Sequence, residues 1–188
     1  MNRTIRTMTA LALAALLMLC TPVALAQELD NGVTWDTTVD EMLAIEGVAL
    51  ENVLMVVEGD AFTQYGFLRL SPGYVGVAVY VYKAERLVMY GGNVSTSMQQ
   101  QKVAFGDVYA AILATLVEER GEPTITDPQR AMDASNAVTA GSFTDEMLVS
   151  AAGWDLGEGA VLYHVHLKDG DEESVITMFV NETLLYTE

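Results

Sequence analysis

Two histidines carry the most direct chemical suggestion in this sequence. His164 and His166 stand two apart in the apolar run Gly159–Lys168. On an extended strand both imidazoles therefore share one face. Two imidazoles on a shared face are the start of a divalent-metal site, which then needs a third ligand, often a carboxylate. Spacing fixes no such third ligand, and the neighbouring run Glu173–Val180 is largely apolar. The plainer reading puts both histidines on the solvent side of a hairpin, with Val161, Val165 and Leu167 facing a core.

The run Asp169-Gly170-Asp171-Glu172-Glu173 is dense in carboxylates. An EF-hand loop needs a bidentate glutamate at its twelfth position, which counted from Asp169 is Val180, so the run does not fit an EF-hand and turn chemistry accounts for it. Glu118-Glu119 reads as the solvated end of a helix. The chain has 26 acidic residues, and no pair of them stands apart as a general acid and base. Nucleophile-elbow, zinc-protease, phosphate-loop and dinucleotide patterns are all absent from the sequence, so no cofactor is expected. Asn93-Val94-Ser95 and Asn181-Glu182-Thr183 match the glycosylation pattern and are expected to be silent.

Tyrosine supplies the other candidate. In Tyr74–Tyr82 the valines Val75, Val77, Val79 and Val81 alternate with Tyr74, Gly76, Ala78, Tyr80 and Tyr82. A strand with this alternation buries its valines and leaves its tyrosines on the more open side. Tyrosine offers rigid amphipathic area suited to interfaces. Tyr74, Tyr80, Tyr82, His164 and His166 are thus the expected partner-binding surface. If a loop or the region 124–152 covers that side, the tyrosines become a second core instead.

The elements that must position these residues follow from periodicity. Thr38-x-x-Glu41 is a capping box opening a short helix over 39–46, with Gly47 closing it. Strands are expected at Glu51–Glu58, Tyr65–Leu70, Tyr74–Tyr82 and Arg86–Val94, with turns at Ser71-Pro72-Gly73 and Lys83–Glu85. Phe105, Val108, Tyr109, Ile112, Leu113, Leu116 and Val117 repeat at helical spacing and end at Arg120-Gly121-Glu122-Pro123. That helix is expected to cover the valine side of the sheet. Residues 124–141 read as loop, with at most a helical turn, and Thr144–Ala152 as a short helix. Gly159–Lys168 and Glu173–Val180 close the chain as a hairpin. The fold class is α+β, an antiparallel sheet of about five to six strands with helices packed on one face. Asp40-Glu41-Met42-Leu43 recurs as Asp145-Glu146-Met147-Leu148, either a duplicated unit or coincidence.

The first 26 residues form a region of their own. Arg3 and Arg6 precede the uncharged run Met8–Cys20, then Pro22 and the small-residue site Ala24-Leu25-Ala26. This is the pattern of a secretory signal peptide, and the run is too short for a membrane span. Cleavage after Ala26 is expected, leaving 27–188 as a single domain, secreted or periplasmic and free of the membrane. Cys20 is the only cysteine and would leave with the leader, excluding disulfides and thiolate chemistry from the mature chain. Lipidation of Cys20 is disfavoured because Leu19 stands where lipoprotein signals carry a small residue. The net charge of −17 becomes more negative once Arg3 and Arg6 are removed. Nucleic acid is excluded as a partner, since no Lys/Arg cluster offsets that charge.

Trp35-x-x-Thr38-x-x-Glu41-Met42, then a meander, then a helix closed by Gly121-x-Pro123 and Trp154 before a hairpin, resembles uncharacterised small exported α+β proteins of Gram-positive bacteria. It is also distantly similar to β-lactamase inhibitory proteins and small outer-membrane assembly lipoproteins. The resemblance covers about residues 35–181. Asp36 and Arg120 depart from it, standing where the pattern has glycine and tyrosine. It implies protein–protein contact and carries over no functional residue. Two functions stay open: an exported non-enzymatic protein binding a macromolecule through an open sheet face, or a metal-dependent enzyme using His164 and His166.

Overall fold

The computed structural model describes residues 29, 32–71, 74–139 and 143–187. The expected signal peptide, with its cleavage site, lies outside them, as do Pro72 and Gly73 of the first expected turn. Among the described residues, alternating apolar residues and short polar turns build seven strands: β1 Met55–Glu58, β2 Thr63–Ser71, β3 Tyr74–Lys83, β4 Arg86–Ser95, β5 Leu148–Gly157, β6 Ala160–Asp169 and β7 Glu172–Asn181. All pair antiparallel, in the order β1-β2-β3-β4-β7-β6-β5. Two meanders, β1–β4 and β5–β7, thus lie edge to edge, joined where β4 meets β7. The α+β antiparallel class holds. The sheet exceeds the expected five to six strands because Leu148–Gly157, expected to begin as a helix, is strand.

Four helices accompany the sheet among the described residues: α1 Val39–Glu46, α2 Phe105–Arg120, α3 Pro128–Thr139 and α4 Glu182–Tyr186. They lie on both faces, not one. α1 and α2 pack against Phe67, Tyr80, Tyr90, Leu162 and Phe179, while α3 and α4 pack against Val81, Val161, Val165, Met178 and Val180. Strand alternation makes these opposite faces. A long sheet with apolar residues on both sides has to be covered twice.

The capping box of α1 forms as the sequence dictates. Thr38 Oγ1 accepts from the Glu41 amide and Glu41 Oε2 accepts from the Thr38 amide, while Gly47 takes the left-handed conformation at the end. α2 buries Phe105, Val108 and Leu116, members of its apolar stripe. α3 replaces the expected loop. Asp127 Oδ1 accepts from the Gln129 amide at 3.0 Å and Pro128 opens the helix, a cap–proline start. Its buried side chains are Ala131, Met132, Ala134, Ser135 and Val138, with the small Ala131, Ala134 and Ser135 letting the helix lie close to the sheet. The two Asp-Glu-Met-Leu copies diverge: the first lies in α1, whereas the second forms a 3₁₀ turn running into β5.

Candidate functional site

Across the α1/α2 face the register sets up parallel rows of side chains. Tyr65, Tyr80, Tyr90, Phe179, Leu162 and Trp154 stand side by side on successive strands. Tyr80 and Tyr90 have ring centroids 4.7 Å apart, and Phe67 meets Tyr80 edge-on at 5.6 Å. The adjacent row reads Phe67, Ala78, Gly92, Thr177, His164 and Ala152. An aromatic ridge therefore runs beside a row whose middle, Ala78, Gly92 and Thr177, is small.

The expected open tyrosine surface is covered. Tyr80 is 0% and Tyr82 3% exposed, and only Tyr74 is half-buried. The physical reason is hydroxyl chemistry: a tyrosine can sit under a helix when its O–H finds a partner there. Tyr80 donates to Glu46 Oε1 at 2.6 Å and Tyr82 to the Thr38 carbonyl at 3.3 Å, so α1 is tied onto this face by both ends. Burial, reinforced by Glu46, pushes the Tyr80 hydroxyl far above the ordinary phenol range. Glu46 also binds Arg69 Nη2 at 2.5 Å, with the glutamate side chain 1% and the arginine side chain 45% exposed.

The histidines do share a face, but it is not a solvent face. His164 is 0% and His166 6% exposed, because Tyr109 of α2 stacks on both rings, at 4.3 and 5.9 Å. His164 Nε2 lies 3.0 Å from the Tyr109 carbonyl and Nδ1 2.8 Å from Thr177 Oγ1. A carbonyl only accepts, so Nε2 carries the proton and Nδ1 accepts from Thr177. Both nitrogens are occupied in this neutral tautomer. Burial holds the His164 pKa below its ordinary value, against the pull of the Tyr109 carbonyl. His166 Nε2 faces Glu173 Oε2 at 3.1 Å, and Lys168 holds the other oxygen at 2.7 Å. Lys168 first and His166 second keep Glu173 below the usual carboxylate range. Among the described residues no three His, Cys, Asp or Glu side chains gather as a metal-binding group.

The sheet thus brings Tyr74, Tyr80, Tyr82, His164 and His166 to one face, where four of them are buried. Sequence reasoning missed two other places. The first is a cavity of about 240 Å³ over the small-residue row, between the aromatic ridge, Ile112 of α2 and Arg69. Its signal was Gly76-x-Ala78 opposite Gly92, small residues on the face that otherwise carries tyrosine. The second lies on the opposite face. There α3 runs from β5, beside which Ile125 bridges Gly153, to β2, where Gln64 donates to the Val138 carbonyl. Beyond Gln64, Met55, Val57, Leu68 and Leu70 are 37, 44, 52 and 76% exposed. They are contiguous: Met55 reaches over Gly66 toward Val77, the partner of Leu68.

No family model, curated protein or solved structure matches this chain.

Proposed function

We propose that this is an exported, acidic, non-enzymatic protein that binds an extended segment of another protein along β1 and the apolar face beside it. The observation that carries the reading is the exposed set Met55, Val57, Leu68 and Leu70 next to an edge strand. Edge strands present unpaired backbone groups, and most proteins blunt them with charge or cover them. In β1 all four residues, Met55–Glu58, are exposed and three are apolar. A strand added there would gain main-chain hydrogen bonds and set alternate side chains beside Met55 and Val57, with Leu68 and Leu70 on the same face past the end of the β1–β2 pairing.

Charge selects the partner. Glu51, Glu58 and Asp60 flank the apolar stretch and are exposed. A segment with alternating apolar residues and lysine or arginine at its ends complements that frame. A second copy of this chain does not, because antiparallel pairing of two β1 strands sets like charges against each other on chains of net charge −17. Export rests on Arg3, Arg6, Met8–Cys20 and Ala24-Leu25-Ala26.

The test is titration of mature protein with a lysine-flanked peptide of alternating valine and threonine, against a glutamate-flanked twin. Leu68→Glu and Leu70→Glu should weaken the lysine-flanked peptide at least tenfold, about 1.4 kcal/mol, without lowering Tm. Equal binding of both peptides, unchanged affinity in the variants, or a wild type that is dimeric through this edge would sink the reading.

A further inference from the structure

We infer that the cavity on the α1/α2 face is a binding site for a small apolar molecule ending in one carboxylate. The inference is independent of the β1 surface, which lies on another part of the fold. The cavity exists because two helices cover this face without meeting over its middle. α1 is held at the Tyr80–Tyr82 end by Glu46 and Thr38, and α2 lies over β6 and β7 with Tyr109 on the histidines. Between them the floor offered by the sheet is built from Gly76, Ala78, Gly92 and Thr177. Gly92 is the telling residue. A Cβ built on it would meet nothing closer than the Val77 carbonyl at 4.0 Å, so the missing side chain is replaced by open space. By contrast, a Cβ at Gly76 would meet the Asn93 carbonyl at 3.0 Å, so tight backbone packing accounts for that glycine.

The walls state the ligand's chemistry. Tyr90 and Phe179 form one side, and Ile112 and Val94 another, which suits a slim aliphatic or aryl body. The volume, about 240 Å³, holds about eight groups of water size at roughly 30 Å³ each. Arg69 is the one charged side chain in the lining. Its guanidinium has five N–H donors, and Glu46 engages it through Nη2. The Glu46 carboxylate is fixed from behind by Tyr80, so it orients the arginine while its own charge offsets one unit. Arginine carries a single charge, so the Glu46–Arg69 pair is neutral and selects by geometry. The remaining N–H fork matches a carboxylate bidentately, and a carboxylate adds one negative charge where a phosphate dianion would add two. The acidic remainder of the protein is screened beyond about 8 Å at physiological ionic strength.

The probe is octanoate, compared with octanol and octylamine by calorimetry on the mature protein. Octanoate should bind one to one and at least tenfold more tightly than either analogue. Gly92→Leu, which fills the open space, should abolish binding while leaving Tm at or above that of the wild type. Arg69→Lys, which keeps the charge and loses the fork, should weaken octanoate several-fold and leave octanol unchanged. Leu70→Glu should change nothing. The inference is overturned if wild type fails to bind octanoate, if Gly92→Leu binds it as before, if octanol binds as well as octanoate, or if Leu70→Glu weakens binding and so moves the ligand to the outer patch.

Discussion

Val79 and Tyr80 are neighbours that alternation sends to opposite faces, and their burial reverses what residue type suggests. Tyr80 is fully buried and carries a hydrogen bond to a buried carboxylate, whereas Val79 is half-buried. Tyr80→Ala is therefore expected to cost about 3–5 kcal/mol, by losing ring packing and leaving Glu46 short of a donor. Val79→Ala should cost about 1–2 kcal/mol, since part of its surface is already wet. Chemical denaturation of both variants decides it, and equal losses would contradict the α1–tyrosine tie. His164 gives a pH signature. Its pKa is lowered by burial, so the unfolded chain takes up the proton first. The contribution of its neutral form is complete above the ordinary value of 6.5 and is lost as pH falls below it. Unfolding free energy should thus decline between pH 6.5 and about 5, before carboxylates titrate. His164→Gln should flatten that slope. A slope unchanged in the variant would mean that His164 is not the buried neutral group described.

Element by element, legibility tracked how much of the outcome was local. The capping box of α1, the apolar stripe of α2 and the hairpins of β3–β4 and β6–β7 depend on residues within a few positions of each other, and all formed. Thr144–Ala152 did not keep its expected helix, because pairing of β5 with β6 along Leu148–Gly157 supplies more hydrogen bonds than one short helix. α3 was hidden for another reason. Its Ala, Ser and Asn residues resemble a loop by composition, and only the nearby sheet makes small residues a good contact face. The β3–β4 turn shows local strain that sequence did register as a turn. Ala84 and Glu85 both hold positive φ, 47° and 66°, conformations that cost ordinary L-residues about 1–2 kcal/mol. Glu85→Gly is accordingly expected to raise stability by roughly 0.5–1 kcal/mol. Thermal denaturation checks it, and a lower Tm would show that Glu85 makes a contact outweighing the turn strain.

At the scale of the molecule, period-two and period-3.6 patterns determined that this chain has strands and helices, and hence its α+β class, without help from tertiary contacts. Composition determined its acidity and the absence of cysteine beyond Cys20. Sequence likewise determined that His164 and His166 share a face, since that follows from strand geometry alone. Which faces were covered, and by what, was decided only in three dimensions. A strand with valine on one side and tyrosine on the other has two apolar sides, and periodicity does not rank them. The ranking came from long-range partners: Glu46 and Thr38 for the tyrosine hydroxyls, and Tyr109 for the histidines. The same contacts left the floor of Gly92 and the patch of Leu68 and Leu70 uncovered. Burial is a property of pairs of elements, and a single element's pattern carries only half of that information.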